Sequence, residues 1–214
     1  MLDTHPDIAY AVTLMAQMSA NPTQEHLDKA LYICCYFIST CHYSLVFDGN
    51  SGNGLITHTD SDWAGSPEDS KSTTRFYIKL ANAVFLWNSH QQKTVALSST
   101  EAEYMALSDC SRQVIWIRNM LGEIGFNLLP IPICGDNQGF IFIENNPVIE
   151  HHTKHIPIRF HYIRDAVQKH QVEIFYIEGT DNPADMFTKN LRYVKFKKCR
   201  SQLGLVFHNT TSWN

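Results

Sequence analysis

The chain has 214 residues and a formal net charge of −4, with 44% hydrophobic and 18% charged residues. This composition supports a packed core and excludes a wholly disordered chain, and the weak negative charge is not typical of a nucleic-acid-binding protein. No apolar run approaches the roughly 20 residues that cross a bilayer, and the N-terminus lacks a secretory signal pattern, so we expect an intracellular protein. The six cysteines contain no CxxC pair and are expected to be small core side chains.

Residues 1–47 are predicted to be a helical segment. Apolar residues at helix spacing run from Asp7 to Met18, and Asn21 and Pro22 interrupt the pattern. A second amphipathic stretch runs from Glu25 to about Thr40. The glycine-rich segment 48–54 then predicts a linker, followed by the main domain at 55–205 and a tail at 206–214.

From residue 55 the pattern changes to strands and helices in alternation. The predicted strands are Leu55–Asp60, Thr74–Leu80, Val84–Trp87, Pro130–Cys134 and Val172–Ile177. The predicted helices are Ser98–Gly125, a short one from Asn137, Ile158–Lys169 and a last one from near Pro183. This order is typical of a mixed α/β domain in which a meander of strands leads into crossover units.

The longest predicted helix carries one carboxylate on its apolar side. Glu103 lies on a stripe that contains Ala106, Cys110, Val114, Ile117, Leu121 and Ile124. Glu101 lies on the opposite side and is explained as the partner of Ser98 in a capping box. A carboxylate on the buried face is costly unless another group compensates it, which makes Glu103 a candidate functional residue. The alternative is a helix-start glutamate that reaches solvent or interacts with the helix dipole.

Aspartates lie at the ends of other predicted elements. Asp60 ends the first strand, and Asp62, two residues later, points to the same side of an extended chain. Asp136 ends the fourth strand just before a helix, where open α/β sheets place their sites. Asp185 falls in the first turn of the last helix. Each of them also has a simpler explanation as a turn residue, a helix cap or a partner of the helix dipole.

Together, four of these acidic positions fit one chemistry. Two metal ions roughly 3.5–4 Å apart that bridge a scissile phosphate need several carboxylates converging from different elements. Mg²⁺ prefers oxygen ligands of this kind. Asp60, Glu103, Asp136 and Asp185 stand at strand ends and helix starts that could supply them.

Several segments carry a family resemblance: HTDSDWAG, KTVALSSTEAEYMALSDC, GDNQGFIFIENNPV, HHTKHIPIRFHYIRDAV and NPADMFTKNL. In order and spacing they resemble the ribonuclease H region of copia-type retrotransposon Pol polyproteins, and THPDIAYAVTLMAQMSANPT resembles the end of the preceding reverse transcriptase. The resemblance implies a ribonuclease H-like α/β fold: a five-stranded mixed sheet, antiparallel and then parallel, flanked by helices and preceded by a small helical segment. It also implies that Asp60, Glu103, Asp136 and Asp185 are catalytic ligands of two Mg²⁺ ions, or Mn²⁺, with Asp60 bridging both.

The function implied by the resemblance is hydrolysis of the RNA strand of RNA–DNA hybrids, together with the reverse transcriptase domain of the same polyprotein. The expected location is a cytoplasmic virus-like particle or the nucleus. The alternative is a truncated or host-adopted remnant that binds nucleic acid or a polymerase without catalysis. The sequence departs from the family pattern at Ser70, Arg75, His152 and Pro157, where arginine, glycine, arginine and aspartate are usual. EGTDNPAD also lacks the histidine that many cellular ribonucleases H carry before the last aspartate.

Positive charge concentrates between His151 and Arg164. This segment contains no acidic residue and holds Lys154, Arg159, Arg164, His151, His152, His155 and His161. We predict nucleic-acid contacts from Lys154, His155, Arg159 and Arg164, and further ones from Ser98, Ser99 and Asn137. The histidine spacing also permits a zinc site on one helix face, although no cysteine pair or glutamate base accompanies it.

Overall fold

A computed structural model describes residues 4–49, 54–65, 69–137, 155–179, 182–187 and 191–208, without the side chains of 155–157. The strands are β1 (Tyr43–Leu45), β2 (Ile56–Asp62), β3 (Thr73–Leu80), β4 (Ala83–Gln91), β5 (Ile131–Gly135), β6 (Val172–Tyr176) and β7 (Leu205–Phe207). The α-helices are α1 (Ala9–Gln17), α2 (Gln24–Ser39), α3 (Ser99–Glu123), α4 (His155–Gln168) and α5 (Tyr193–Gln202). Short 3-10 helices lie at Pro6–Ile8, Met18–Ala20 and Pro183–Phe187.

The centre of the molecule is a five-stranded sheet in the order β4-β3-β2-β5-β6. β2, β3 and β4 form an antiparallel meander, whereas β5 runs parallel to both β2 and β6. The expected α/β fold with a five-stranded mixed sheet is therefore confirmed. Its central strand, β2, is the one that carries Asp60.

One face of the sheet packs against α3 and α4. Phe76 and Ile78 of β3 meet Leu107 and Val114 of α3 in one core cluster, which also includes Ile163 of α4. The apolar stripe predicted for α3 is buried from Glu103 through Ile117. Ile124 is instead 66% exposed, because α3 ends at Glu123 and the stripe runs past the helix.

The other face of the sheet is covered by the C-terminal part of the chain. Tyr77 of β3 packs in a second cluster with Phe187 of the 3-10 helix and with Cys199 and Leu203 of α5. The last helix predicted from near Pro183 is a 3-10 helix over Pro183–Phe187, and the α-helix begins only at Tyr193. The helix predicted to begin near Pro183 is therefore confirmed, as a 3-10 helix of five residues.

The N-terminal helices are attached to the C-terminal part by a polar network. Tyr36 of α2 donates a 2.6 Å hydrogen bond to Asp7, and Arg200 of α5 donates to the hydroxyls of Tyr36 and Tyr43 at 3.1 and 2.7 Å. β1 and β7 pair antiparallel, with Tyr43 opposite Phe207. The sequence predicted neither strand, since three residues are too few to show alternation. The proposed domain boundaries at 47, 54 and 205 stay predictions.

Three smaller expectations have mixed outcomes. Cys34, Cys35 and Cys41 are exposed, so the expectation of core cysteines is wrong for these three, whereas Cys110 and Cys199 are buried. The short helix predicted from Asn137 lies outside the described residues. In the part of the chain that the structure describes, no helix is both long and apolar enough to cross a membrane.

Candidate metal centre

Two parallel strands bring aspartates to the same edge of the sheet. In the register of β2 and β5, His58 lies opposite Cys134. Asp60 and Asp136 each follow two residues later, so the parallel pairing directs them to neighbouring positions at the carboxyl ends of the strands. Asp60 is 3% exposed and Asp136 is half-buried. This edge is where open α/β sheets place their ligand sites.

Glu103 completes a group of three carboxylates, which we call the acidic trio. One oxygen from each of Asp60, Glu103 and Asp136 lies within 4.8 Å of the others. Glu103 stands one turn into α3 and is 8% exposed, and its Oε1 accepts a hydrogen bond from Ser61 N at 3.3 Å. Among the described residues, its buried Oε2 has no hydrogen-bond donor. A buried carboxylate oxygen without a donor, beside two more carboxylates, suits a cation.

The electrostatics of the trio point the same way. Burial, and then the charges of Asp60 and Asp136, raise the pKa of Glu103 to about 8, although the hydrogen bonds from Ser61 oppose this. In the absence of a cation, the Glu103 carboxyl is therefore mostly protonated at neutral pH. A bound divalent cation would favour the ionised carboxylate instead. The all-oxygen donor set fits a hard ion such as Mg²⁺ or Mn²⁺.

Glu101 has a different role from Glu103. The sequence predicted that Glu103 is on the buried side of the helix and Glu101 on the opposite side. Glu101 is nevertheless also buried, at 7% exposure, so burial does not distinguish the two glutamates. Its backbone N–H donates to Ser98 Oγ at 3.1 Å, and its Oε2 accepts from Leu97 N at 2.7 Å. The second bond reaches one residue further than a capping box, which would use the backbone of Ser98. Glu101 thus stabilises the start of α3.

Asp62 shares the face of β2 with Asp60 but is turned to other partners. Its Oδ1 accepts a hydrogen bond from Thr73 N, and its Oδ2 lies 3.4 Å from Arg75 Nη2. Gly65 packs so closely that a Cβ there would overlap the Asp62 carboxylate. The structure therefore directs Asp60, rather than Asp62, towards Glu103 and Asp136.

Asp185, the fourth predicted ligand, lies outside the acidic trio as far as the described residues show. It is 2% exposed, and its Oδ2 accepts a 2.5 Å hydrogen bond from Lys195 Nζ of α5. Asn182 attaches this segment to β2, because its Nδ2 donates to Thr59 O at 3.2 Å while its Oδ1 accepts from Ala184 N. The segment that carries Asp185 is therefore attached to the backbone of Thr59, the residue before Asp60. The Asp185 carboxylate itself is paired with Lys195.

Two residues near the trio were given no role at the site by the sequence analysis. Arg75 is opposite Asp60 in the register of β2 and β3, is 4% exposed, and lies with its Cζ 5.2 Å from the centre of the Tyr10 ring. The hairpin register could have identified Arg75, since opposed residues share a face of the sheet. Gly179 lies so close to Asp136 that an added Cβ would be 2.8 Å from its Oδ2. Nothing in the sequence pattern indicates that contact.

Three of the predicted nucleic-acid contacts lie close in sequence to members of the trio. Ser98 and Ser99 are exposed at the start of α3, where Ser98 Oγ is used as the helix cap. Asn137 is half-buried directly after Asp136. These positions remain predictions for contact with a nucleic acid.

The other predicted contacts lie on or before α4. Arg159 and Arg164 are about 140° apart around the helix axis, so they do not form one stripe. Arg159 donates to Met105 O at 3.4 Å and thus reaches the first turns of α3. Lys154 and the side chain of His155 lie outside what the structure describes, as does the zinc alternative that includes them.

A small cationic cluster on α3 includes Arg159. Asp109 is contacted by Arg112 Nη2 at 2.6 Å, His90 Nε2 at 3.3 Å and Arg159 Nη1 at 3.5 Å. Burial alone would raise the pKa of Asp109, but the bond from His90 and the charges of Arg112 and Arg159 lower it overall. Two arginines on one carboxylate leave an excess of positive charge, and we call Asp109 with His90, Arg112 and Arg159 the Asp109 cluster.

The chain is 35% identical to the retrovirus-related Pol polyprotein from transposon TNT 1-94 of Nicotiana tabacum, over 96% of this chain and 15% of that protein. It is likewise 35% identical to the Pol polyprotein from transposon RE1 of Arabidopsis thaliana, over 94% of this chain and 14% of that one. The chain therefore belongs to the copia-type retrotransposon Pol family, and it spans about a seventh of the length of these relatives. No family model matches the sequence.

Among solved structures, the chain is similar to LC11-RNase H1 in complex with an RNA/DNA hybrid, with a TM-score of 0.47 and 14% sequence identity. The likeness covers 62% of this chain and 92% of that one.

Proposed function

We propose that the chain is the ribonuclease H portion of a retrotransposon Pol polyprotein and hydrolyses the RNA strand of RNA–DNA hybrids with divalent metal ions. The observation that carries the proposal is the acidic trio, whose oxygens come from three separate elements to within 4.8 Å of one another. Clustered carboxylates repel one another, so a buried group of this kind is costly unless a cation compensates it.

The residues around the trio have separate roles in this proposal. Asp60, Glu103 and Asp136 hold the cation, and Asp185 is the fourth ligand, supplied from the 3-10 helix. Bound divalent ions would activate the attacking water and stabilise the leaving 3′-oxygen. Glu103 contributes a carboxylate only after losing its proton, because its pKa is about 8 without metal. Metal binding should therefore release a proton at neutral pH.

The substrate contacts follow from the charge distribution. The Asp109 cluster lies on the same helix as Glu103, and its Arg159 donates to Met105 O, two residues after Glu103 in the chain. Phosphate groups of a hybrid would be attracted to this excess of positive charge. Selection of the RNA strand would come from contacts to its 2′-hydroxyl groups in the shallow minor groove. The partner in the cell would be the reverse transcriptase domain of the same polyprotein, in a virus-like particle or the nucleus.

The matched pair Asp60→Asn and Asp62→Asn tests the proposal. Each substitution removes one negative charge from the same face of β2, but only Asp60 belongs to the trio. With a hybrid labelled on its RNA strand and Mg²⁺ present, Asp60→Asn should slow cleavage roughly a hundredfold or more. Asp62→Asn should stay within about tenfold of the natural chain, since the amide oxygen of the new side chain can still accept the bond from Thr73 N.

Two outcomes would contradict the proposal: no Mg²⁺-dependent cleavage by the natural chain, or equal losses in both variants. Hybrid binding without cleavage by the natural chain would instead support the alternative of a non-catalytic, nucleic-acid-binding remnant.

A further inference from the structure

The structure contains two kinds of carboxylate: those that lie close to one another, and those that are paired with a cation of the chain. The trio of Asp60, Glu103 and Asp136 brings oxygens together within 4.8 Å. Asp62 and Asp185 instead each contact a cation of the chain itself, Arg75 and Lys195 respectively. The trio is thus suited to an added cation, whereas Asp62 and Asp185 are already paired with cations of the chain.

The contact between Lys195 and Asp185 is built into the packing of α5. Cys199 lies one turn after Lys195 on the same side of the helix and is 2% exposed, so this side of α5 faces the protein. Leu203 continues that side and is fully buried against the second core cluster. The Asp185 side chain is 3% exposed and that of Lys195 is 34% exposed. The ammonium group therefore approaches a buried carboxylate from the solvent side.

A metal ion bound through Asp185 Oδ2 would compete with the ammonium group of Lys195 for that oxygen. Lys195 Nζ is 2.5 Å from Asp185 Oδ2. If that oxygen joined the trio as a metal ligand, Nζ would have to withdraw, since two cations cannot both take up this position. Because Lys195 is partly exposed on a flexible four-carbon stem, it can move into solvent without disturbing α5.

We propose that Lys195 is an internal counterion that competes with a second divalent ion for Asp185, so that the chain binds its two ions unequally and in order. The first ion binds the trio without displacing a cation of the chain. The second requires the Lys195–Asp185 pair to break, which weakens its binding by about tenfold or more. Lys195 is thus a positioning residue. This inference rests on the proposed function, because it takes the trio to be a metal site and Asp185 to be its fourth ligand.

The experiment measures Mn²⁺ binding to the full chain by the loss of the free-ion electron paramagnetic resonance signal. The variants are Lys195→Met, Lys195→Arg and, as a matched control, Lys197→Met, which removes the same charge from an exposed position on the same helix. For the natural chain we expect one ion bound tightly and a second at least tenfold more weakly. Lys195→Met should tighten only the second step, about tenfold. Lys195→Arg and Lys197→Met should behave like the natural chain.

A second measurement follows the natural chain itself and uses a variant only to assign a resonance. The ¹⁵Nζ resonance of Lys195, assigned by its absence in Lys195→Arg, is followed while Mg²⁺ is added to the natural chain. It should change only during the second binding step, when the ammonium leaves Asp185. A resonance that stays constant while the second ion binds would overturn the inference, and so would unchanged second-step affinity in folded Lys195→Met.

The outcomes separate this inference from the proposed function. Two equally tight ions in the natural chain would overturn the role of Lys195 and leave the metal site standing. No binding at the trio, with Asp60→Asn indistinguishable from the natural chain, would contradict the proposed function itself.

Discussion

Replacing Glu103 with glutamine gives the sharpest energetic test of the trio, because it removes one charge and keeps the shape of the side chain. In the folded, metal-free protein the pKa of Glu103 is raised from 4.5 to about 8 by burial and by its acidic neighbours. The folded state thus holds a proton between these pH values that the unfolded state releases. The folded state loses stability as the pH rises through this window, and the loss is complete above pH 8.

The size of the effect follows from the shift. One pKa unit corresponds to 1.36 kcal/mol, so the full shift would destabilise the fold by roughly 4–5 kcal/mol above pH 8. Because water can enter the space around Glu103 and the neighbouring side chains can relax, we expect a destabilisation of about 2–4 kcal/mol. Glu103→Gln should therefore be more stable than the natural chain by that amount at pH 9 in EDTA. Near pH 4.5 the two should be nearly equally stable.

Urea unfolding followed by circular dichroism, at both pH values and with EDTA or Mg²⁺, measures this difference. Mg²⁺ should stabilise the natural chain and have little effect on Glu103→Gln, since the variant lacks a metal ligand. Glu101→Gln is the control, because its amide oxygen can still accept from Leu97 N. The reasoning is refuted if Glu103→Gln gains no stability at pH 9 in EDTA, or if Glu101→Gln shows the pH-dependent gain instead.

Three further substitutions test the surroundings of the site. Gly179→Ala adds a methyl group 2.8 Å from Asp136 Oδ2, so it should weaken Mn²⁺ binding about tenfold with little change in Tm. An unchanged Mn²⁺ affinity would contradict the close contact between Gly179 and Asp136. Ser98→Ala removes the cap of α3 and should lower the free energy of unfolding by about 1 kcal/mol in urea titrations, and no loss would argue against the cap. Arg200→Met removes the hydrogen bond to the Tyr36 hydroxyl and should expose α2 to earlier proteolytic cleavage; an unchanged digestion pattern would show that the network does not hold the helix.

Much of the fold could be predicted because its main elements carry clear local patterns. The strands of the β2–β4 meander are short stretches rich in β-branched and aromatic residues between turn-forming segments, and α3 carries an apolar stripe at helix spacing. β1 and β7 were not predictable, since each has three residues and its partner lies at the other end of the chain. The sequence indicates a helix at Pro183 but not its kind, because a cap, a proline and an acidic first turn can start either an α-helix or a 3-10 helix.

The site was predictable to the extent that strand ends and helix faces determine it. Glu103 was singled out by its place on an apolar stripe, and Asp136 by its place at a strand end. Asp60 and Asp62 share a face of β2, so only tertiary partners distinguish them, and those partners come from β3. The contact between Lys195 and Asp185 depends on how α5 packs against the sheet, which no local pattern encodes.

The most direct test of the central claim is the chemistry of the product ends. The full chain is incubated with Mg²⁺ and an RNA–DNA hybrid in which each strand carries its own label, with single-stranded RNA and duplex RNA alongside. The account predicts cleavage of the RNA strand of the hybrid alone, leaving 5′-phosphate and 3′-hydroxyl ends. EDTA should abolish this cleavage, and Asp60→Asn should slow it roughly a hundredfold or more. Cleavage that persists in EDTA, products ending in 2′,3′-cyclic phosphate, or no cleavage of the hybrid would contradict it.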